Sequence, residues 1–284
     1  MRYKFLCLLF SFSLMISCAQ EKKDYLITIS TSYGDMVAIL YDETPKHKEN
    51  FIKLAKEGFY DSLLFHRIIE GFMIQGGDPD SKKATPGQRL GTGNIGYTID
   101  AEFNSKFFHK KGALAAARLG DQQNPKRVSN GSQFYIVQGK PMSEEDLSLD
   151  GAKFGEAIQK FMRDPQHKAT ADSVMQFYQN NDREGYEAFL KALRPRIERE
   201  TGISTTREVD PAQRNAYVPN GGTPNLDGQY TVFGEVIKGI EVIDKIASQS
   251  KDSFDRPIED IRMKISVKEV SKKKIEKEYG YTYH

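Results

Sequence analysis

Residues 65–78 read Phe-His-Arg-Ile-Ile-Glu-Gly-Phe-Met-Ile-Gln-Gly-Gly-Asp. A fixed cation, Arg67, and a side-chain amide, Gln75, bracket an apolar pair, Phe72 and Met73. Arginine stays charged and presents its N–H groups in a rigid fork, so it can hold a lone pair or an oxygen without giving up a proton. Taken singly these residues are ordinary. An arginine in a strand is most often half of an exposed ion pair, Phe72, Met73 and the later Leu226 would each pass for core, and Gln133 for a surface amide. Other chemistries find less support. There is no G-x-S-x-G elbow for a hydrolase, and the 5 histidines show no zinc-like spacing. Gly91-Thr92-Gly93-Asn94-Ile95-Gly96 matches G-x-G-x-x-G in form, but a strand-like Tyr-Thr-Ile follows it in place of a long helix, which argues against a dinucleotide loop.

Further motifs occur in order around that stretch. Glu49-Asn50-Phe51 through Gly58-Phe59-Tyr60-Asp61 precedes it, and Gly131-Ser132-Gln133-Phe134-Tyr135-Ile136 and Leu226-Asp227-Gly228-Gln229-Tyr230-Thr231-Val232-Phe233-Gly234 follow it. Together they resemble the cyclophilins, over about 25–138 and 223–270. The resemblance implies a mainly β fold: a closed eight-stranded antiparallel barrel capped by two helices, with a substrate groove on its outer face. It implies peptidyl-prolyl cis/trans isomerisation, with no cofactor and no metal. By resemblance Arg67 meets the prolyl nitrogen and Gln75 holds the carbonyl. Phe72, Met73, Tyr135 and Leu226 match pocket positions, with Ala117, Arg118, Gln133 and Tyr230 also at substrate-binding places.

The sequence departs from the family at several of these places. Tyr135 stands where Phe is commonest, and its hydroxyl calls for a partner. Asn225 replaces a Trp that contacts cyclosporin in many eukaryotic members, which predicts weak drug binding. Tyr230 stands where His is frequent, although bacterial relatives commonly carry Tyr. Ala117-Arg118-Leu119 matches the Ala-Asn-Ala segment only at its first residue, so Arg118 is expected to alter preference for the residue before proline.

The elements that must position these residues are legible as short strands and isolated helices. Strand-like segments lie at 25–30, 35–41, 65–75 (broken at Glu70-Gly71), 97–99, 112–117, 132–138 and 230–236. A last strand alternates Ile261, Met263, Ile265 and Val267 with polar residues. Thr44-Pro45 opens a helix that Gly58 ends, and another is predicted near 240–247. Residues 143–218 differ. Phe154, Ile158, Phe161 and Met162 fall on one helical stripe, as do Tyr186, Phe189, Leu190, Leu193 and Ile197, with Pro195 expected to kink or end that helix. This reads as a helical insertion within a domain spanning 25–270, followed by a charged, solvated tail at 271–284. The insertion falls between Tyr135 and Leu226, which must converge, so it must leave and rejoin the fold beside the groove. It either gates the groove, recruits a protein partner, or decorates the periphery.

Arg2 and Lys4, an apolar run from Phe5 to Ile16, and Ser17-Cys18 have the layout of a signal peptide over 1–17, too short for a comfortable membrane span. Met15-Ile16-Ser17-Cys18 resembles a bacterial lipobox, which implies lipidation of Cys18 and a polar tether over 18–24. Loss of Cys7 with the signal would leave no free thiol. The expected location is the bacterial cell envelope, on the periplasmic side, with the outer membrane favoured because Ala19 does not look like an inner-membrane retention signal. Removing Arg2 and Lys4 balances 41 basic against 39 acidic residues, which argues against nucleic acid as a partner. The expected partners are proline-containing polypeptide clients and a membrane reached through the lipid. The rival reading is a non-catalytic client-binding chaperone or an envelope docking module that uses the groove and the insertion.

Overall fold

The computed structural model describes residues 21–283. The signal-peptide and lipidation expectations, Cys18 included, lie outside the described residues, whereas the end of the expected tether is already strand from Lys23, with Asp24 buried. In chain order the elements are β1 (Lys23–Thr31), β2 (Gly34–Leu40), α1 (Pro45–Lys56), β3 (Phe65–Ile69), β4 (Met73–Gly76), β5 (Thr98–Ile99), β6 (Ala113–Ala116), β7 (Ser129–Asn130) and β8 (Phe134–Val137). Then come α2 (Glu144–Leu147), α3 (Gly151–Arg163), α4 (Lys168–Gln179), α5 (Arg183–Thr201), α6 (Pro211–Tyr217), β9 (Val232–Lys238), α7 (Glu241–Ala247), β10 (Lys264–Ser271) and α8 (Lys272–Tyr279).

Eight strands form one antiparallel sheet in the order β10-β1-β2-β9-β6-β8-β4-β3. The sheet curls until its edges meet. The seam is irregular: Phe65 N–H donates to Ile261 O at 2.9 Å, Met263 N–H to Leu63 O at 2.8 Å, and Ser62 N–H to Met263 O at 2.9 Å. The expected closed barrel is therefore a curled sheet whose last junction is a few hydrogen bonds and one bridge, Leu64 to Arg262, in place of a full ladder.

The inward-facing residues of the strands make the main core, and α1 and α7 cover it. Phe51, Leu54 and Ala55 of α1 and Val242, Ile243 and Ile246 of α7 join Ile27, Ile29, Phe65, Ile74, Leu114, Phe134 and Ile136 there. The start of α1 is satisfied from outside the helix. Thr44 lends no side-chain cap; the carboxylate of Glu102 accepts instead from the backbone N–H groups of Lys46 and His47 at 3.1 and 3.0 Å.

Residues 143–218 fold as an arm of helices. Ala157, Phe161 and Ile197 form a small core of its own, packed by Phe154, Ile158, Met162 and Leu193. α5 runs through Pro195 and does not end there; Leu190 before it and Ile197 after it are both buried, so packing on each side outweighs the lost hydrogen bond. The arm leaves and returns at one narrow stem, where Gly222 N–H donates to Lys140 O at 3.1 Å and Lys111 N–H to Gly221 O at 3.1 Å.

The C-terminal segment is not the solvated tail expected from its charge. α8 buries Ile275, and Tyr279, Tyr281 and Tyr283 pack with it over Leu26, Val37, Ile39 and Val270 on the outside of the sheet. Among the described residues no helix is long and apolar enough to cross a membrane.

Candidate active site

The groove forms on the outer face of the sheet, where β3, β4, β8 and β6 lie side by side. Strand alternation decides its lining. Ile74 points into the core while its neighbours Met73 and Gln75 point out. Phe134 and Ile136 point in while Tyr135 points out, and Ala115 and Ala117 point out on either side of the inward Ala116. The registers then set these residues in a row: Arg67 opposite Gln75, Gln75 opposite Tyr135, and Tyr135 opposite Ala115.

A β-bulge puts Arg67 in that row. β3 advances from Phe65 to Arg67 while β4 moves only from Gly76 to Gln75. Unbroken alternation would put Arg67 on the core side with Phe65. The extra residue, His66, reverses the phase, so that Phe65 and Ile68 stay in the core and Arg67 turns outward. His66 itself is buried with neither ring nitrogen hydrogen-bonded. Burial pushes its imidazole down to about 4, with Arg67 and Arg256 adding to the effect and Asp78 and the adjacent Leu64 backbone opposing it.

Arg67 is held loosely from two sides. Its Nε lies 3.5 Å from Asp255 Oδ2, and its Nη1 donates to Gln75 Oε1 at 3.5 Å. The side chain remains 40% exposed, so the guanidinium is free to meet a ligand. Asp255 is fixed by its own backbone, whose carbonyl accepts from Ile68 N–H at 2.8 Å. Gln75 Nε2 donates to Gln133 Oε1 at 3.1 Å, and Gln133 Nε2 donates to the carbonyl of Gly93 at 2.7 Å. The Gly91 and Gly93 N–H groups are in turn gathered by Asp78 Oδ2 at 2.5 and 3.3 Å. The glycine loop set aside as a nucleotide site thus has a different task. Its carbonyls fix the Gln133 amide, which turns Gln75 so that its oxygen faces Arg67 and one N–H stays unused.

Beside this polar edge lies a cavity of about 280 Å³ lined by Arg67, Phe72, Met73, Gln75, Ala117, Arg118, Tyr135, Leu226 and Tyr230. Every groove residue expected from sequence is in that wall except Gln133, which stands behind Gln75 and is buried. The Tyr135 hydroxyl has its partner, His109 Nε2 at 3.0 Å, and burial holds its acidity well below that of free tyrosine. Arg118 lies over the Tyr230 ring, 4.3 Å from its centroid, donates from Nε to Gln229 O at 2.9 Å, and pairs with Asp121 at 2.7 Å. A second cleft, of about 460 Å³, lies in the arm; its walls mix Glu144, Glu145 and Glu208 with Arg207 and Arg214 beside Leu147, Val209 and Pro211.

Sequence reasoning missed Asp255, His109 and the bond from Gln133 to the glycine loop. Asp227 was in view within Leu226-Asp227-Gly228, but only as part of a motif. Each matters through contacts between residues far apart in the chain, and no local spacing signals that.

The groove thus sets a row of side-chain donors beside a small, partly apolar cavity. The family described as "Cyclophilin type peptidyl-prolyl cis-trans isomerase/CLD" matches residues 26–267. A Staphylococcus haemolyticus protein named for peptidyl-prolyl cis-trans isomerase activity is 31% identical over 244 residues, covering 85% of this chain and 89% of that protein. A Streptococcus pyogenes protein named as a bifunctional phosphatase/peptidyl-prolyl cis-trans isomerase is 32% identical over 241 residues, which span 83% of this chain but 37% of that longer protein. The crystal structure of a Cryptosporidium parvum cyclophilin-type isomerase shares the fold, with a TM-score of 0.51 and 22% identity over 87% of this chain and 98% of that one. The chain therefore belongs to the cyclophilin-type peptidyl-prolyl cis-trans isomerases.

Proposed function

We propose that the groove rotates the peptide bond before proline in exported polypeptides, and that the enzyme works from the bacterial envelope, tethered by a lipid on Cys18. The uncatalysed barrier is about 18–20 kcal/mol because the prolyl nitrogen shares its lone pair with the carbonyl. Two interactions lower it. A donor that meets the nitrogen lone pair as the bond twists withdraws it from conjugation, and Arg67 takes that part. A donor on the carbonyl oxygen steadies one side of the bond, and the spare N–H of Gln75 takes that part. The proline ring sits among Phe72, Met73, Tyr135 and Leu226, so that one half of the bond is fixed while the other turns.

The observation that carries this reading is the row of Arg67 and Gln75 beside the apolar cavity, with the Gln75 oxygen turned toward the guanidinium. In a protease-coupled assay on a short proline peptide, Arg67→Ala lowers kcat/KM by roughly 10²–10³-fold, the usual cost of removing one transition-state donor. Wild-type turnover in that variant would reject the catalytic role and favour a binding module. The envelope reading rests on the lipobox-like Met15-Ile16-Ser17-Cys18. Cys18→Ser should move the protein from the membrane to the soluble fraction of an expressing bacterium; equal partition of both forms would remove the anchor.

A further inference from the structure

The arm reaches the groove through a chain of polar groups that is buried at each member but Asp227. Tyr217, the last residue of α6, is fully buried, and its hydroxyl lies 2.7 Å from each carboxylate oxygen of Asp227. Asp227 Oδ1 also accepts from the backbone N–H of His109 at 3.0 Å and faces His109 Nδ1 at 2.9 Å. The other ring nitrogen, Nε2, is the one that meets the Tyr135 hydroxyl in the groove wall. A carboxylate on Nδ1 keeps the proton there and leaves Nε2 to accept from Tyr135. The imidazole is wholly buried, while the Asp227 carboxylate is 15% exposed.

The packing around this chain is close. Gly222 approaches so tightly that a Cβ there would collide with the His109 carbonyl and stand 2.7 Å from the Tyr217 ring. Thr223 N–H donates to that same carbonyl at 2.9 Å. The Tyr135 ring lies nearly parallel to His109, at 14°, and meets Tyr230 edge-on. The orientation of Tyr135 is thus set on its polar end by a residue whose own position depends on the arm.

We propose that His109, Asp227 and Tyr217 are positioning residues for the Tyr135 wall of the groove, which makes the last helix of the arm a working part of substrate binding. This rests on the reading of that groove as the proline site. A pocket wall grips the ring in ground and transition states alike, so loosening it raises KM and spares kcat. The test is Tyr217→Phe, which keeps the buried ring and removes only the hydroxyl, assayed on the full chain with the short proline peptide. KM should rise roughly three- to tenfold, the scale of one net hydrogen bond, with kcat within about twofold. The same change placed in a Tyr135→Phe background should add almost nothing, because no hydroxyl is left to be held. A merely structural role for Tyr217 would lower the melting temperature in both backgrounds and show no such coupling. Wild-type KM in Tyr217→Phe, or an undiminished rise in the Tyr135→Phe background, would overturn the proposal. If Tyr217→Phe fails to fold, Asp227→Asn in the same pair of backgrounds gives the same two outcomes. Arg67→Ala run alongside separates the two readings, since its inactivity stands whether or not Tyr217 couples to Tyr135.

Discussion

His66 and Arg67 are neighbours in the chain with opposite relations to charge. A guanidinium does not titrate in the accessible range, so the isomerase rate is expected to be flat wherever the protein is folded. His66 is buried and pushed down to about 4, whereas the same imidazole in the unfolded chain titrates near 6.5. The unfolded state therefore takes up a proton that the folded state refuses. The stability conferred by a neutral His66 is fully present above the unfolded value and is lost as pH falls toward the folded value. That gap is worth on the order of 3 kcal/mol. Urea unfolding of the wild type from pH 7 to 4 should show this loss, and His66→Leu should reduce the slope by about one proton over the same window. An unchanged slope would remove His66 from the account. At this scale the sequence exposes the side chains that line the groove, because their motifs are contiguous. It hides Asp255, His109 and the bond from Gln133 to Gly93, because those depend on which loop the fold brings alongside.

Among the elements, the same contrast has a definite cause. Most strands follow from period-2 alternation and both covering helices from helical spacing and the breaks at Gly and Pro, and they lie close to where the pattern puts them, although β10 starts only at Lys264 and β7 had no signal. What alternation cannot supply is a change of phase. Phe65 and Arg67 share a parity, so the pattern alone assigns them one face, and only the ladder with β4 reveals the bulge at His66 that separates them. The C-terminal segment was obscured by composition. Its lysines and glutamates dominate the sequence, yet Ile275, Tyr279, Tyr281 and Tyr283 recur at intervals that let them share one side. Leu26, Val37, Ile39 and Val270, apolar residues on the outward side of the sheet, were the signal that something must cover them. Pro195 misleads for the converse reason: a local penalty of about 3 kcal/mol is outweighed by burial of Leu190 and Ile197 on either side of it.

Across the whole molecule the question is how much of the arm the barrel uses. The core shared by α3 and α5 is their own, and α5 meets the stem through Lys140 and Glu187, an ion pair 58% and 47% exposed. Exposed pairs of this kind contribute little, about 0–1 kcal/mol. α6 differs, since Tyr217 is locked into the barrel through Asp227 and packs edge-on against Phe108. Two excisions separate these parts. One removes 144–209 behind a short flexible linker and keeps α6; the other removes 144–218 and takes Tyr217 with it. Shortening a closed loop changes its entropy by only about 0.6 kcal/mol per halving, so both barrels should unfold cooperatively in urea. Peptide kinetics should then diverge: KM near wild type for the shorter excision, and raised for the longer one to the level of Tyr217→Phe. Equal and unchanged kinetics would make the arm irrelevant to the groove. Equal impairment would shift the role to α3–α5 and support gating of the entrance, because the shorter excision leaves the Tyr217 contact in place and could harm binding only by removing the helices beyond it.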